Sequence, residues 1–238
     1  MAKAVGVDGC KAGWFYTVLD GDEFQHGIAR SIVELATMFS PEDSVFIDIP
    51  IGLVDDDASG RRCDREARKA IGERRSSVFS APCWDVLSAT SYPQANEFSE
   101  KAIGKKISQQ AYAIVPKIRE VNLYLLGDGV CPVIREVHPE VCFWALNSKQ
   151  GVSYPKKKPE GFAERIHLLK KRLPHVEDWA EEMLATYKRK DVARDDIPDA
   201  LVSMLTAQAD PNLLKTLPAF PDKDSRGLPM EMVYIDSP

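Results

Sequence analysis

Residues 44–53 read SVFIDIPIGL, an apolar run with one carboxylate inside it. Val45, Phe46, Ile47, Ile49 and Ile51 belong in a buried strand. An ionised Asp48 left there without a partner costs several kcal/mol. Either Asp48 lies at the strand's exposed end, or the fold uses the carboxylate. Upstream of this stretch, Lys3–Asp8 (KAVGVD) and Gly13–Leu19 (GWFYTVL) read as strands. Asp20-Gly21-Asp22 forms a hairpin-type turn into a weaker third strand, Phe24–Ala29. Ser31 with Glu34 three residues later has the spacing of a capping box before a short helix. The order is therefore three strands in meander, a helix, and a strongly buried fourth strand carrying Asp48.

Downstream the chain turns helical. Arg61–Gly72 is charged, Ser76–Trp84 reads as a loop, and Ser108–Leu126 has helical spacing with a kink expected at Pro116. Cys131–Val137 is a fifth strand candidate, followed by His138-Pro139-Glu140 and a helix, VCFWALN. Residues 160–190 suit two amphipathic helices. Asp195-Asp196-Ile197-Pro198-Asp199 opens a last helix, and a Pro-rich tail over about 209–238 ends in MEMVYI, read as an edge strand. The simplest architecture is one α/β domain over 1–238, with a helical insertion at about 54–127 between strands four and five.

Composition bounds the chemistry. In 238 residues, 44% are hydrophobic and 28% charged, an ordinary globular balance. A net charge of −5 argues against a surface built wholly for nucleic acid, though not against a local basic patch. The five cysteines are scattered without a CxxC pair, which fits a reduced, cytoplasmic setting. No signal-peptide stretch opens the chain, and no run approaches ~20 apolar residues, so no membrane partner is expected.

Acidic residues recur where elements meet. Asp8 ends strand one, Asp48 interrupts strand four, Glu140 follows strand five, and Asp195, Asp196 and Asp199 start the final helix. Spacings of three and four place Asp199 on one helix face with Asp196 or Asp195. Each acid alone has an ordinary use: a turn at Asp8-Gly9, a helix cap at Asp196, a helix start at Pro139-Glu140. Their joint placement carries more, because converging carboxylates repel one another and hard cations such as Mg²⁺ or Mn²⁺ relieve that repulsion. Two such ions about 3.5–4 Å apart serve phosphoryl displacement.

Residues 61–75 (RRCDREARKAIGERR) carry seven basic and three acidic side chains. Two readings stand for them. Arg61, Arg65, Arg74 and Arg75 with Ser76 form a phosphate clamp, since guanidinium binds phosphate bidentately, or the stretch is a solvated helix with internal ion pairs. Lys156-Lys157-Lys158 reads as a solubilising loop that could touch a nucleic-acid backbone. His138, Cys142 and Cys131 lack a fourth zinc ligand. Nothing in the sequence pairs Cys10 or Cys83 with a base.

VDGCKAGWF, FIDIPIGL, RRCDREARK, RRSSVFSAPC, HPEVCFWAL and DDIPDAL together resemble one uncharacterised family, labelled a domain of unknown function and predicted to be nucleases. The resemblance spans residue 4 to about 207. DIPDALVSML is similar to the last helix of RuvC-type resolvases, in the ribonuclease H-like superfamily. The resemblance implies a ribonuclease H-like mixed five-stranded sheet, strand two antiparallel to its neighbours, with helices on both faces. It also implies metal-ligand places at Asp8, Asp48 and Asp195 or Asp196 with Asp199, and a further ligand or base at Glu140. Lys11 is expected near the acids, able to contact a phosphate. Cys10 and Lys11 stand where nucleotide-binding relatives carry Gly and Ser or Thr, which disfavours an ATP-dependent transferase. The expected activity is a metal-dependent nuclease or phosphodiesterase acting on nucleic acid or a small phosphoester. The alternative is a non-catalytic relative binding a nucleotide, nucleic acid or protein partner through the same cleft.

Overall fold

A computed structural model describes residues 2–127 and 132–236. Cys131, at the head of the expected fifth strand, lies outside the described residues. The chain opens with β1 (Ala4–Cys10), β2 (Gly13–Asp20), β3 (Glu23–Ala29), α1 (Ile32–Thr37) and β4 (Ser44–Ile47). Then come α2 (Arg62–Ala70), α3 (Tyr92–Ile103), α4 (Gln109–Leu125), β5 (Val133–Glu136) and α5 (Pro139–Leu146). It closes with α6 (Pro159–Lys170), α7 (Val176–Thr186), α8 (Asp196–Gln208), β6 (Leu214–Lys223) and β7 (Pro229–Ile235). These elements form two compact units. The first holds residues 1–48, 129–215 and 233–238, the second 49–128 and 216–232.

The first unit is built on a mixed sheet of order β3-β2-β1-β4-β5, in which β2 runs antiparallel to both neighbours and β1, β4 and β5 run parallel. The expected α/β class and five-stranded sheet are both present. The Ser31 hydroxyl caps α1 by accepting the Glu34 N–H, and the Glu34 carboxylate reaches back to the Arg30 N–H rather than to that of Ser31. One face of the sheet packs on α8, whose residues Ile197 to Ala207 are all buried. An apolar helix buried on every side is a core helix rather than an amphipathic surface one. Its Ser203 and Thr206 hydroxyls satisfy themselves by donating to the carbonyls of Asp199 and Val202. On the opposite face Tyr16, paired with Val7, meets the Phe39 ring just beyond α1.

Gly6 explains how closely α8 lies on β1. A Cβ there would stand 2.0 Å from the Ala200 carbonyl oxygen and 2.2 Å from the Met204 nitrogen, both backbone atoms. Only a residue without a side chain lets the helix approach so near. Beside it on β2, the Thr17 hydroxyl donates to the same Ala200 carbonyl at 3.1 Å.

In the second unit, α2, α3, α4 and short 3-10 turns at Gly72–Ser77 and Trp84–Ser88 are held by buried polar side chains. Asp64 accepts from Arg61 and from the Ala81 N–H. Asn122 bridges the Gly52 N–H and the Pro50 carbonyl. Asp224 accepts from Leu53, Leu228 and the Trp84 indole. The helix α4 runs through Pro116 without ending there. A helix the sequence reading leaves unassigned, α3, is capped by the Ser91 hydroxyl and ends at Gly104, whose φ of 67° suits glycine. The Pro-rich tail holds a second strand, β6, and its two-stranded pairing with β7 leaves the prolines free of any central ladder.

Candidate functional site

The acidic centre is assembled by register. β1 and β4 are parallel with Val7 beside Ile47, so the next residues, Asp8 and Asp48, stand side by side. The strand β4 ends at Ile47, so Asp48 does not interrupt it. It follows the strand's last residue, and its N–H still bonds the Val7 carbonyl at 3.0 Å. Asp8 is two residues from Gly6 and shares its face, the one covered by α8. That helix presents its N-terminal turn, with Asp196 and Asp199, to the same place. Parallel strand ends are where open α/β sheets put their ligands.

β5 supplies the next wall. Its register sets Glu136 beside Ile47, the Val137 N–H bonds the Ile47 carbonyl, and His138 and Glu140 follow at the start of α5. Glu140 is buried, and one of its oxygens takes an ion pair from Arg165 of α6, whose side chain has no exposure at all. Arg165 also donates to the carbonyls of Tyr154 and Gly161 and lies over the Phe143 ring. It thereby ties α5 to the loop that carries Lys156. Gly161 lets that loop close down, since a Cβ there would be 2.1 Å from the Pro155 carbonyl oxygen. Glu164 completes the tether by accepting the Ser153 and Tyr154 N–H groups.

Lys156 reaches from this loop into the carboxylates. Its ammonium lies 2.6 Å from Asp199 Oδ2 and 3.7 Å from Asp195 Oδ2. The acids beside it hold their protons more tightly than usual. Burial pushes the Asp8 carboxyl well above the ordinary value, reinforced by Asp48, Asp196 and Asp199 and opposed by Lys156. Burial also raises Asp48, against the pull of His138 and Lys156. Asp196 and Asp199 are each pushed up to about 6, again mainly by burial. In turn Asp199, above all, holds the Lys156 ammonium well above the usual lysine range.

A pH dependence follows with a definite sign. The folded cluster keeps protons that the unfolded chain has released, so its contribution to stability is full in acid. That contribution falls as pH rises from about 4, the ordinary carboxyl value, through about 6, where Asp196 and Asp199 ionise. Asp8→Asn, which fixes the neutral form, is expected to match the wild type near pH 4. At pH 7 in metal-free buffer it should exceed the wild type by on the order of 1 kcal/mol. Urea denaturation at both pH values checks this, and a variant less stable at pH 7 contradicts it.

Two carboxylate oxygens, Asp199 Oδ1 and Glu140 Oε2, and the ring nitrogen His138 Nδ1 are buried with no hydrogen-bond partner among the described residues. Such atoms are costly unless something else satisfies them. The two carboxylate oxygens, with their unsatisfied lone pairs, fit a hard divalent cation. Among the described residues no three His, Cys, Asp or Glu side chains yet stand close enough to hold an ion, and the Lys156 ammonium supplies the positive charge.

A family model described as Protein of unknown function (DUF429) matches residues 6–223. The chain belongs to that family. No curated protein and no solved structure matches it. The family resemblance carried by VDGCKAGWF and its companion motifs is met by this match.

Within this DUF429 member, Asp8, Asp48, Glu140, Asp195, Asp196 and Asp199 all fall in the first unit, around Lys156. Lys11 sits exposed in the turn after β1. Lys156, read as a solubilising residue, is ion-paired with Asp199 and lowers the Asp8 carboxyl. Arg61 is not a phosphate clamp: it is buried, ion-paired with Asp64 at 2.8 Å and bonded to the Ile51 and Gly52 carbonyls. Arg65 is exposed and donates to Ser59 and Gly60. Arg74, Arg75 and Ser76 lie in the second unit on a 3-10 turn. Burial pushes the Cys142 thiol up to about 12, and it donates to the Val233 carbonyl. Among the described residues, no helix is long and apolar enough to cross a membrane.

Proposed function

We propose that the acidic centre holds Mg²⁺ or Mn²⁺ and hydrolyses a phosphodiester, making the protein a metal-dependent nuclease or phosphodiesterase. The observation that carries this reading is the gathering of Asp8, Asp48, Asp196 and Asp199 at one sheet edge and one helix N-terminus, with buried oxygens left unsatisfied. Asp8, Asp48 and Asp199 would be the ligands, with Asp195 or Asp196 as the second acid of the final helix. A bound divalent ion supplies Lewis-acid polarisation of the phosphate and a more acidic water.

This chain's own residues do the rest. Arg165 fixes Glu140 so that one oxygen stays directed away from the ion pair, ready to ligate or to accept a proton from water. Lys156, whose side chain is 38% exposed, can swing its ammonium off Asp199 toward a phosphate oxygen as the carboxylates take up the cation. His138 favours the charged form of Asp48.

Replacing Asp48 with Asn should leave the fold intact and abolish Mn²⁺-dependent cleavage, because it removes a ligand of the ion. Cleavage of an activated phosphodiester, single-stranded DNA and RNA provides the assay, and undiminished cleavage overturns the assignment. A second reading has its own support in the Lys156–Asp199 pair. On that reading the centre is internally compensated and binds a partner without chemistry. It predicts no metal-dependent cleavage of any of the three substrates by the wild type.

A further inference from the structure

The second unit carries an open cavity of about 580 Å³, the size range of small-molecule sites. One wall is the RRSSVFSAPC motif, which the acidic centre does not use. The other is the link between α3 and α4. Among the described residues, four cationic side chains, Arg68, Arg75, Lys105 and Lys106, line it, and no Asp or Glu does. In a chain of net charge −5, that is a marked local reversal.

The cations are set in different ways. Arg68 is oriented by the Val78 carbonyl at 2.8 Å and the Ser80 hydroxyl at 3.0 Å. Lys105 is steadied by the Ala58 carbonyl at 2.7 Å. Among the described residues Lys106 has only an exposed 3.8 Å pairing with Glu100, which is worth little. Arg75 is exposed, and its guanidinium makes no hydrogen bond or ion pair among the described residues. Four positive charges facing one space repel one another, and an anion there relieves that repulsion.

The cavity also receives the first turn of α4, a helix of 17 residues whose amide groups favour an anion. Between the cations, Phe79 and Ile103 give it an apolar lining suited to a flat ring.

We propose that this cavity binds a nucleotide-sized phosphoester, its phosphate on Arg75, Lys106 and Arg68 and its base against Phe79. The chemistry is shared by a free nucleotide and by one unit of a nucleic-acid strand. The site stands independently of the function of the acidic centre.

The test uses the full chain with EDTA present, so that the acidic centre is silent. Adenosine 5′-monophosphate and a fluorescein-labelled single-stranded oligonucleotide of ten residues are titrated into the wild type and the Arg75→Gln/Lys106→Gln double variant. Both replaced side chains are exposed, so the melting temperature should not move. The proposal expects binding by the wild type and a loss of about tenfold or more in the variant, that is about 1.4 kcal/mol. Mononucleotide binding identifies a free nucleotide as ligand. Oligonucleotide binding alone, with steep salt dependence, identifies a strand. No binding of either probe at millimolar concentration, or equal binding by the variant, overturns the proposal.

Discussion

Replacing Gly6 with alanine is expected to leave little folded protein. The new methyl group would meet the Ala200 carbonyl oxygen at 2.0 Å, the Met204 nitrogen at 2.2 Å and the Met204 Cα at 2.9 Å. All three are backbone atoms of a helix buried on every side, so no rotamer change relieves the clash. The helix α8 must lift off β1, exposing core contacts made by Leu201, Met204 and Leu205. Overpacking ordinarily costs about 1–3 kcal/mol where side chains can give. Here the cost should exceed about 4 kcal/mol, a large part of the 5–15 kcal/mol that holds a typical domain. Urea denaturation and the soluble yield check this, and a variant melting within a few degrees of the wild type would show that α8 does not lie on β1 as described.

The second large effect is expected at Arg165. Arg165→Met removes the partner of a buried Glu140 carboxylate and the donor to the Tyr154 and Gly161 carbonyls. Stranding one charge of a buried pair costs about 3–5 kcal/mol, more than the pair contributes by existing. The double variant Arg165→Met/Glu140→Gln should therefore be more stable than Arg165→Met alone, because the stranded charge is gone. A thermal-melt double-mutant cycle tests this. Additive losses would mean that Arg165 acts through the loop alone.

Asp48 and Lys156 mark where sequence reading succeeds and where it stops. Asp8, which lies inside β1 rather than at its end, and Asp48 were legible because acids set in apolar runs stand out, and the parallel pairing of β1 with β4 brings them together. DIPDAL was legible as a helix start with acids on one face. Lys156 was not. Within Lys156-Lys157-Lys158 nothing distinguishes the lysine that turns inward from its two exposed neighbours. What turns it inward is Gly161 together with the tethers from Glu164 and Arg165, which depend on tertiary approach.

Arg61 misled for the opposite reason. It heads an obviously basic stretch, but Asp64 three residues on gives it a buried partner. That i, i+3 pair is one of the internal ion pairs that the alternative reading of the stretch expects, although it is buried rather than solvated. Helix α3 also had its signals in place, Ser91 with Gln94 three residues later and Gly104 at the far end, with its few buried positions leaving a weak apolar pattern.

If the gathered carboxylates form a cation site, calorimetric titration of Mn²⁺ reveals it without any choice of substrate. The account predicts one or two ions bound by the wild type, none by Asp8→Asn or Asp48→Asn, and tighter binding by Lys156→Met, which removes the competing ammonium. Heat of binding unchanged in Asp8→Asn and Asp48→Asn, or none in the wild type and Lys156→Met alike, would contradict it.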